Sequence, residues 1–197
     1  MTELPSDDTV REVGHRRIGA GEARSMVIRR RYAAPVEDVW AACTRPDRLD
    51  RWFLRVGGDL REGGRVSLEG NASGDIVGCD PPRTLHLTWV YGDRPVDEVW
   101  LRLTPGPDGD TVLELEHATV STLVEYEGRL LDVIPGLGQG WELPLILGLP
   151  AYLRGELPDV PAAEWFEFTP EVMELAARTS DLWTALAREA GAAAEPA

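Results

Sequence analysis

The stretch Gly74 to Tyr91, GDIVGCDPPRTLHLTWVY, decides the fold. A short run with β-branched residues, Asp75 to Cys79, leads into the turn Asp80-Pro81-Pro82-Arg83, and a second run, Thr84 to Tyr91, follows with large apolar and aromatic side chains. Proline fixes φ and aspartate favours turns, so the two runs predict a β-hairpin. A second stretch, Gly138 to Leu153, GQGWELPLILGLPAYL, predicts a long apolar helix. A curved antiparallel sheet with one apolar face needs a cover, and a single long helix laid across it leaves room for a pocket.

Working outward, Met26 to Ala33 has the length and composition of a first strand. Pro35 then opens a short helix with Val36, Val39, Trp40 and Cys43 at helical spacing, and Arg48 to Phe53 predicts a second. Further strands are expected at Arg65 to Glu69, Asp97 to Thr104 and Thr111 to His117, separated by turns rich in Gly, Pro, Asn and Asp. In the last two, Val99, Leu101 and Leu103 alternate with Trp100 and Arg102, and Leu113 and Leu115 with Glu114 and Glu116. Period two means one buried face and one wetter face. The apolar helix, about Leu137 to Leu153, is the expected lid. Thr169-Pro170-Glu171 is a helix start with a capping threonine and proline at the first helical position. Val172, Leu175, Ala176, Thr179, Leu182, Trp183 and Leu186 form one stripe of that last helix, which must pack on this domain or on a second copy. The domain reading is a mobile N-terminal arm over 1–24, a sheet-and-helix domain over 25–155, and a linker with an amphipathic C-terminal helix over 156–197.

The chain has 197 residues and a formal net charge of −14. That charge opposes binding to nucleic acid, which needs a basic face, and to anionic membrane surfaces. No apolar run approaches the roughly 18 residues of a membrane span, and MTELPSDDTV has no secretory signal pattern, so a cytoplasmic location is expected. Cys43 and Cys79 are too few and too far apart for a disulfide framework. All 20 basic residues are arginine, which excludes a lysine Schiff base and the phosphate-binding lysine of a P-loop.

The pieces Ala34-Pro35-Val36-Glu37-Asp38-Val39-Trp40, Arg51-Trp52-Phe53, Gly63-Gly64-Arg65, Asp80-Pro81-Pro82-Arg83, Leu87-Thr88-Trp89, Leu115-Glu116-His117 and Gly140-Trp141 occur in an informative order. Together they resemble the START-like SRPBCC superfamily, and within it the branch named after the activator of the 90-kDa heat-shock-protein ATPase. The resemblance covers about residues 26 to 155. It implies an α+β helix-grip fold, with a curved antiparallel sheet wrapped on a long helix and a further C-terminal helix here. It also implies a cavity between sheet and long helix, typically used for apolar or aromatic small molecules. No single reaction is implied, because relatives include carriers and polyketide cyclases. Two departures stand out. Pro144 and Pro150 should kink or break the long helix. The activator's separate chaperone-binding domain has no counterpart, which weighs against a co-chaperone role.

The aromatic set Trp52, Phe53, Trp89, Tyr91, Trp100 and Trp141 either lines such a cavity or fills the core. The ligand-binding candidates are Trp52, Phe53, Trp89, Leu101, Leu115, His117, Trp141 and Leu145. His117 should share the inward face of Leu113 and Leu115, where it would orient a ligand carbonyl, act as a base, or bond to backbone. Glu142 would sit at the cavity mouth as a proton-transfer group or on a solvated helix face. His86 should face away. No close His or Cys doublet exists, so no metal is expected, and no cofactor. The run Gly136-Leu137-Gly138-Gln139-Gly140 lacks the remaining pattern of a phosphate loop and reads as a hinge or helix entry. The leading expectation is binding of a small hydrophobic molecule. A cofactor-independent cyclase or dehydratase using His117 and Glu142 is one alternative, and a co-chaperone-like or homodimeric interaction module is the other.

Overall fold

The computed structural model describes residues 8–194. The first strands, β1 (Val10–Ile18) and β2 (Gly21–Tyr32), form an antiparallel hairpin. Two short helices follow, α1 (Val36–Thr44) and α2 (Pro46–Trp52). Next come β3 (Val56–Gly58), β4 (Arg65–Leu68), β5 (Ser73–Asp80), β6 (Thr84–Trp89), β7 (Asp97–Pro105) and β8 (Thr111–Thr119). These strands make one eight-stranded antiparallel sheet in the order β1-β2-β8-β7-β6-β5-β4-β3. A separate hairpin, β9 (Leu123–Tyr126) and β10 (Arg129–Asp132), precedes a helical rod. The hairpin expected from Gly74 to Tyr91 is β5–β6, with Arg83 N–H donating to Asp80 O at the turn, 2.8 Å.

Of the arm expected over 1–24, Val10–Ile18 form β1 and Gly21 to Arg24 begin β2, while residues 1–7 lie outside the described residues. The strand lacks an apolar pattern because polar contacts across the fold attach it. Arg16 lies over the Trp100 ring at 3.6 Å and pairs with Glu116 at 2.6 Å, and Arg29 joins Glu12 to Glu114 across the outer face.

The rod consists of α3 (Val133–Leu143), a π-helical turn (Pro144–Gly148) and α4 (Leu149–Leu153). The prolines therefore widen the helix rather than end it. Leu149 N–H bonds Pro144 O, and Pro150 has no N–H to offer, so the Leu145 carbonyl has no donor within the rod. The buried hydroxyl of Tyr32 donates to it at 2.8 Å. A buried carbonyl is thereby satisfied, and β2 is tied to the rod.

A four-residue helix, α5 (Ala162–Trp165), leads to α6 (Pro170–Ala194), which packs on α3 and β1 of the same chain. Trp183, fully buried, lies over Gly138, where a β-carbon would fall 2.3 Å from the indole. Gly138 is therefore the close-approach residue between two helices, while a β-carbon at Gly136 or Gly140 would meet nothing within 4 Å. Leu182, expected on the buried stripe, is 45 % exposed.

Glu142, fully buried on α3, receives the guanidinium of Arg11 from β1 (Nε to Oε2 2.9 Å, Nη2 to Oε1 2.5 Å) and the indole N–H of Trp183 from α6 (2.8 Å). One carboxylate thus joins an edge strand and two helices. Removing one partner from a buried charge pair costs about 3–5 kcal/mol, whereas replacing the pair by apolar side chains is near neutral. Arg11→Ala is therefore expected to lower unfolding free energy in denaturant titration by about that amount, and adding Glu142→Gln, which removes the unpaired charge but keeps an acceptor for the Trp183 N–H, should recover part of it. Unchanged stability in the single variant would mean that β1 is not docked.

Candidate functional site

The site starts from the alternation of the central strands. Leu85 and Leu87 of β6, Val99 and Leu101 of β7, and Leu113 and Leu115 of β8 turn to the concave face. Opposite them, α2 supplies Leu49 and Trp52, with Phe53 at its end, and the rod supplies Trp141, Pro144 and Leu145. The two layers enclose a cavity of about 120 Å³ with an almost wholly apolar wall. That is room for several waters by volume, yet the wall has few of the polar partners a buried water needs.

Seven of the eight ligand-binding candidates line the cavity: Trp52, Phe53, Trp89, Leu101, Leu115, Trp141 and Leu145. The eighth, His117, faces inward but lies behind the wall and is fully buried. Its Nδ1 accepts the Trp141 indole N–H at 2.9 Å, and its Nε2 lies 3.0 Å from Asp97 Oδ2. An indole nitrogen only donates, so Nδ1 carries a lone pair and the imidazole proton sits on Nε2, directed at Asp97. With both nitrogens occupied, His117 has none left to abstract a proton from a ligand. Its role is to hold Trp141, whose ring stacks on Phe53 at 5.6 Å and meets Trp89 at 5.0 Å. Glu142 is likewise unavailable for proton transfer. It is sealed in the Arg11–Trp183 cluster rather than placed at the mouth.

Two of the aromatic set lie elsewhere. Tyr91 is exposed, and Trp100 sits on the outer face, stacked on His86 at 4.5 Å, while His86 bonds Glu98 at 2.8 Å. His86 thus faces away, as alternation requires.

Sequence reading omitted Cys43, Thr44 and Cys79 from the wall. Cys43 was legible as a member of the apolar stripe of α1, but Cys79 follows a register shift in β5 between Ile76 and Gly78, which simple alternation cannot anticipate. Cys43 lies in the apolar wall of the cavity. Desolvation accordingly pushes its thiol up to about 12. Cys79 is also raised, first by desolvation and then by the charges of Glu62 and Asp80.

A curved antiparallel sheet closed over an apolar hollow by a helical rod defines the helix-grip class of cavity proteins. The chain belongs to the family described as Activator of Hsp90 ATPase homolog 1-like protein, whose model matches residues 33–153. It is similar to CalU16 from Micromonospora echinospora at 46% identity. The crystal structure of that protein aligns over 91% of this chain and 98% of its own with a TM-score of 0.76, and its solution structure over 93% and 98% with 0.79. The likeness to CalU16 thus runs well beyond the family match, into the flanking strand and helix. An HSP90 activator from Plasmodium falciparum shares the fold at 21% identity, covering 68% of this chain and 97% of its own, TM-score 0.57. No curated protein matches the chain.

The Cys43 shift sets a pH dependence. In the unfolded chain the thiol ionises near 9.0, while the folded chain keeps it protonated up to about 12. Between those values the unfolded state binds fewer protons, so stability falls as pH rises. The contribution is intact below pH 9.0 and lost on approach to about 12. The Cys43→Ala variant should show a shallower loss of stability than the unmodified chain between pH 9 and 11 in denaturant titration, by about 1 kcal/mol per pH unit. Identical slopes would place the thiol in water.

Proposed function

We propose that the chain binds a small apolar or aromatic molecule in the cavity between the sheet and the rod. The observation that carries this reading is the unfilled apolar hollow walled by Trp52, Phe53, Trp89 and Trp141. A ligand removing about 200 Å² of apolar surface from water there gains about 5 kcal/mol. Aromatic rings in the wall favour a ligand with its own π-faces.

Binding is preferred to the cyclase or dehydratase alternative because the acid–base pair that alternative required, His117 and Glu142, is committed to structural bonds. The homodimer alternative loses its expected surface, since most of the α6 stripe is covered by the same chain. No described helix is long and apolar enough to cross a membrane. Free Cys43 and Cys79 accord with a reducing compartment such as the cytoplasm.

Native mass spectrometry of the chain purified from its own host should reveal a retained small molecule, and Leu87→Phe should abolish that mass shift while leaving Tm within a few degrees. Inserting the larger ring into a filled core would instead cost about 1–3 kcal/mol. A destabilised variant together with no retained mass on the unmodified chain would overturn the reading.

A further inference from the structure

An apolar hollow holds a ligand without orienting it, and orientation needs a polar group in the wall. His117 and Glu142 are both occupied. Most other polar atoms in the wall are engaged as well. Trp52 donates its indole N–H to Ala42 O at 2.9 Å, Trp141 donates to His117, and Thr44 Oγ1 donates to Trp40 O at 2.7 Å. The Cys43 and Cys79 thiols are weak donors.

Trp89 differs. It is 8 % exposed, its ring packs at 5.0 Å from Trp141 and 5.9 Å from His117, and it lines the cavity. Yet its Nε1 has no hydrogen-bond partner among the described residues, whereas those of Trp52, Trp141, Trp165 and Trp183 all have one. Nor is it among the fully enclosed unpartnered atoms, so open space reaches it. A buried indole N–H usually finds an acceptor, and the protein offers this one none.

We propose that Trp89 Nε1–H orients the ligand by donating to it, and that the ligand is a flat, mostly apolar ring system carrying an acceptor oxygen such as a ketone. The rings of Trp89, Trp141 and Phe53 contact its faces, and the N–H selects which edge enters first. An acceptor buried here without that donor would lose its water and gain nothing, so the N–H turns a penalty into a preference. This rests on the cavity reading above and adds the ligand class and the residue that reads it.

The test uses the full ¹⁵N-labelled chain and two probes that differ by one carbonyl, tetralin and 1-tetralone. The chain has seven tryptophans, so each indole N–H resonance is resolvable, and Trp89→Phe identifies the one that disappears. Both probes are expected to bind. Only 1-tetralone should move the Trp89 indole proton downfield, and Trp89→Phe should weaken 1-tetralone about five-fold more than tetralin, the effect of one net hydrogen bond. If Trp89→Phe fails to fold, the resonance is assigned in the unmodified chain through its contact with Trp141, and its response to the two probes decides. Binding of both probes with equal indole shifts and an unchanged affinity ratio overturns the proposal and leaves the cavity reading standing. Binding of neither removes both.

Discussion

The rod from Val133 to Leu153 is held to the sheet by a few buried polar bonds, and they determine whether a hollow exists at all. Tyr32 anchors the π-turn through the Leu145 carbonyl. The Asp97–His117 pair fixes Trp141 one turn earlier, and Arg11 with Trp183 fixes Glu142 beside it. Hydrogen bonds have narrow distance ranges, so these groups set the separation of rod and sheet, where apolar contact alone would favour collapse. The donors of each tether find their acceptors inside the protein, while Asp97 Oδ1 is left buried without a partner. The wall they frame is therefore apolar, and most of its polar atoms are already paired.

The same economy explains what could be read from the sequence. Period-two alternation in β7 and β8, the Asp80–Arg83 turn and the apolar run from Gly138 declared the sheet, the hairpin and the covering helix, because burial of one face is written locally as a repeating pattern. The inward leucines followed from that pattern, whereas Trp52, Phe53, Trp89 and Trp141 stood out only as an aromatic set that the family resemblance allowed to line a cavity or fill the core. β1 did not follow from it, because its attachment is polar and distant: Arg11 reaches a carboxylate 131 positions away, and Arg16 one 100 positions away. Nothing local marks such a partner. The fates of His117 and Glu142 were hidden for the same reason. Their residue types suggested proton transfer, and only the fold shows that Trp141, Asp97, Arg11 and Trp183 already occupy them.

Proline gave a mixed signal. Pro144 and Pro150 marked a disturbance in the rod, and the disturbance is real. It takes the form of a wide turn because Tyr32 supplies the donor that the rod lacks. That turn places Pro144 and Leu145 directly in the cavity wall, so the irregularity shapes the site. The cluster around Glu142 connects the flanking elements, β1 and α6, to the same rod, which gives the parts outside the family match a role in supporting the hollow.

Crystals of the chain pressurised with xenon test the central claim most directly, because xenon enters dry apolar cavities and ignores filled ones. The account predicts a xenon peak between Leu87, Leu101 and Trp141 in an otherwise unchanged structure. No xenon there, with those side chains in mutual contact, would contradict it.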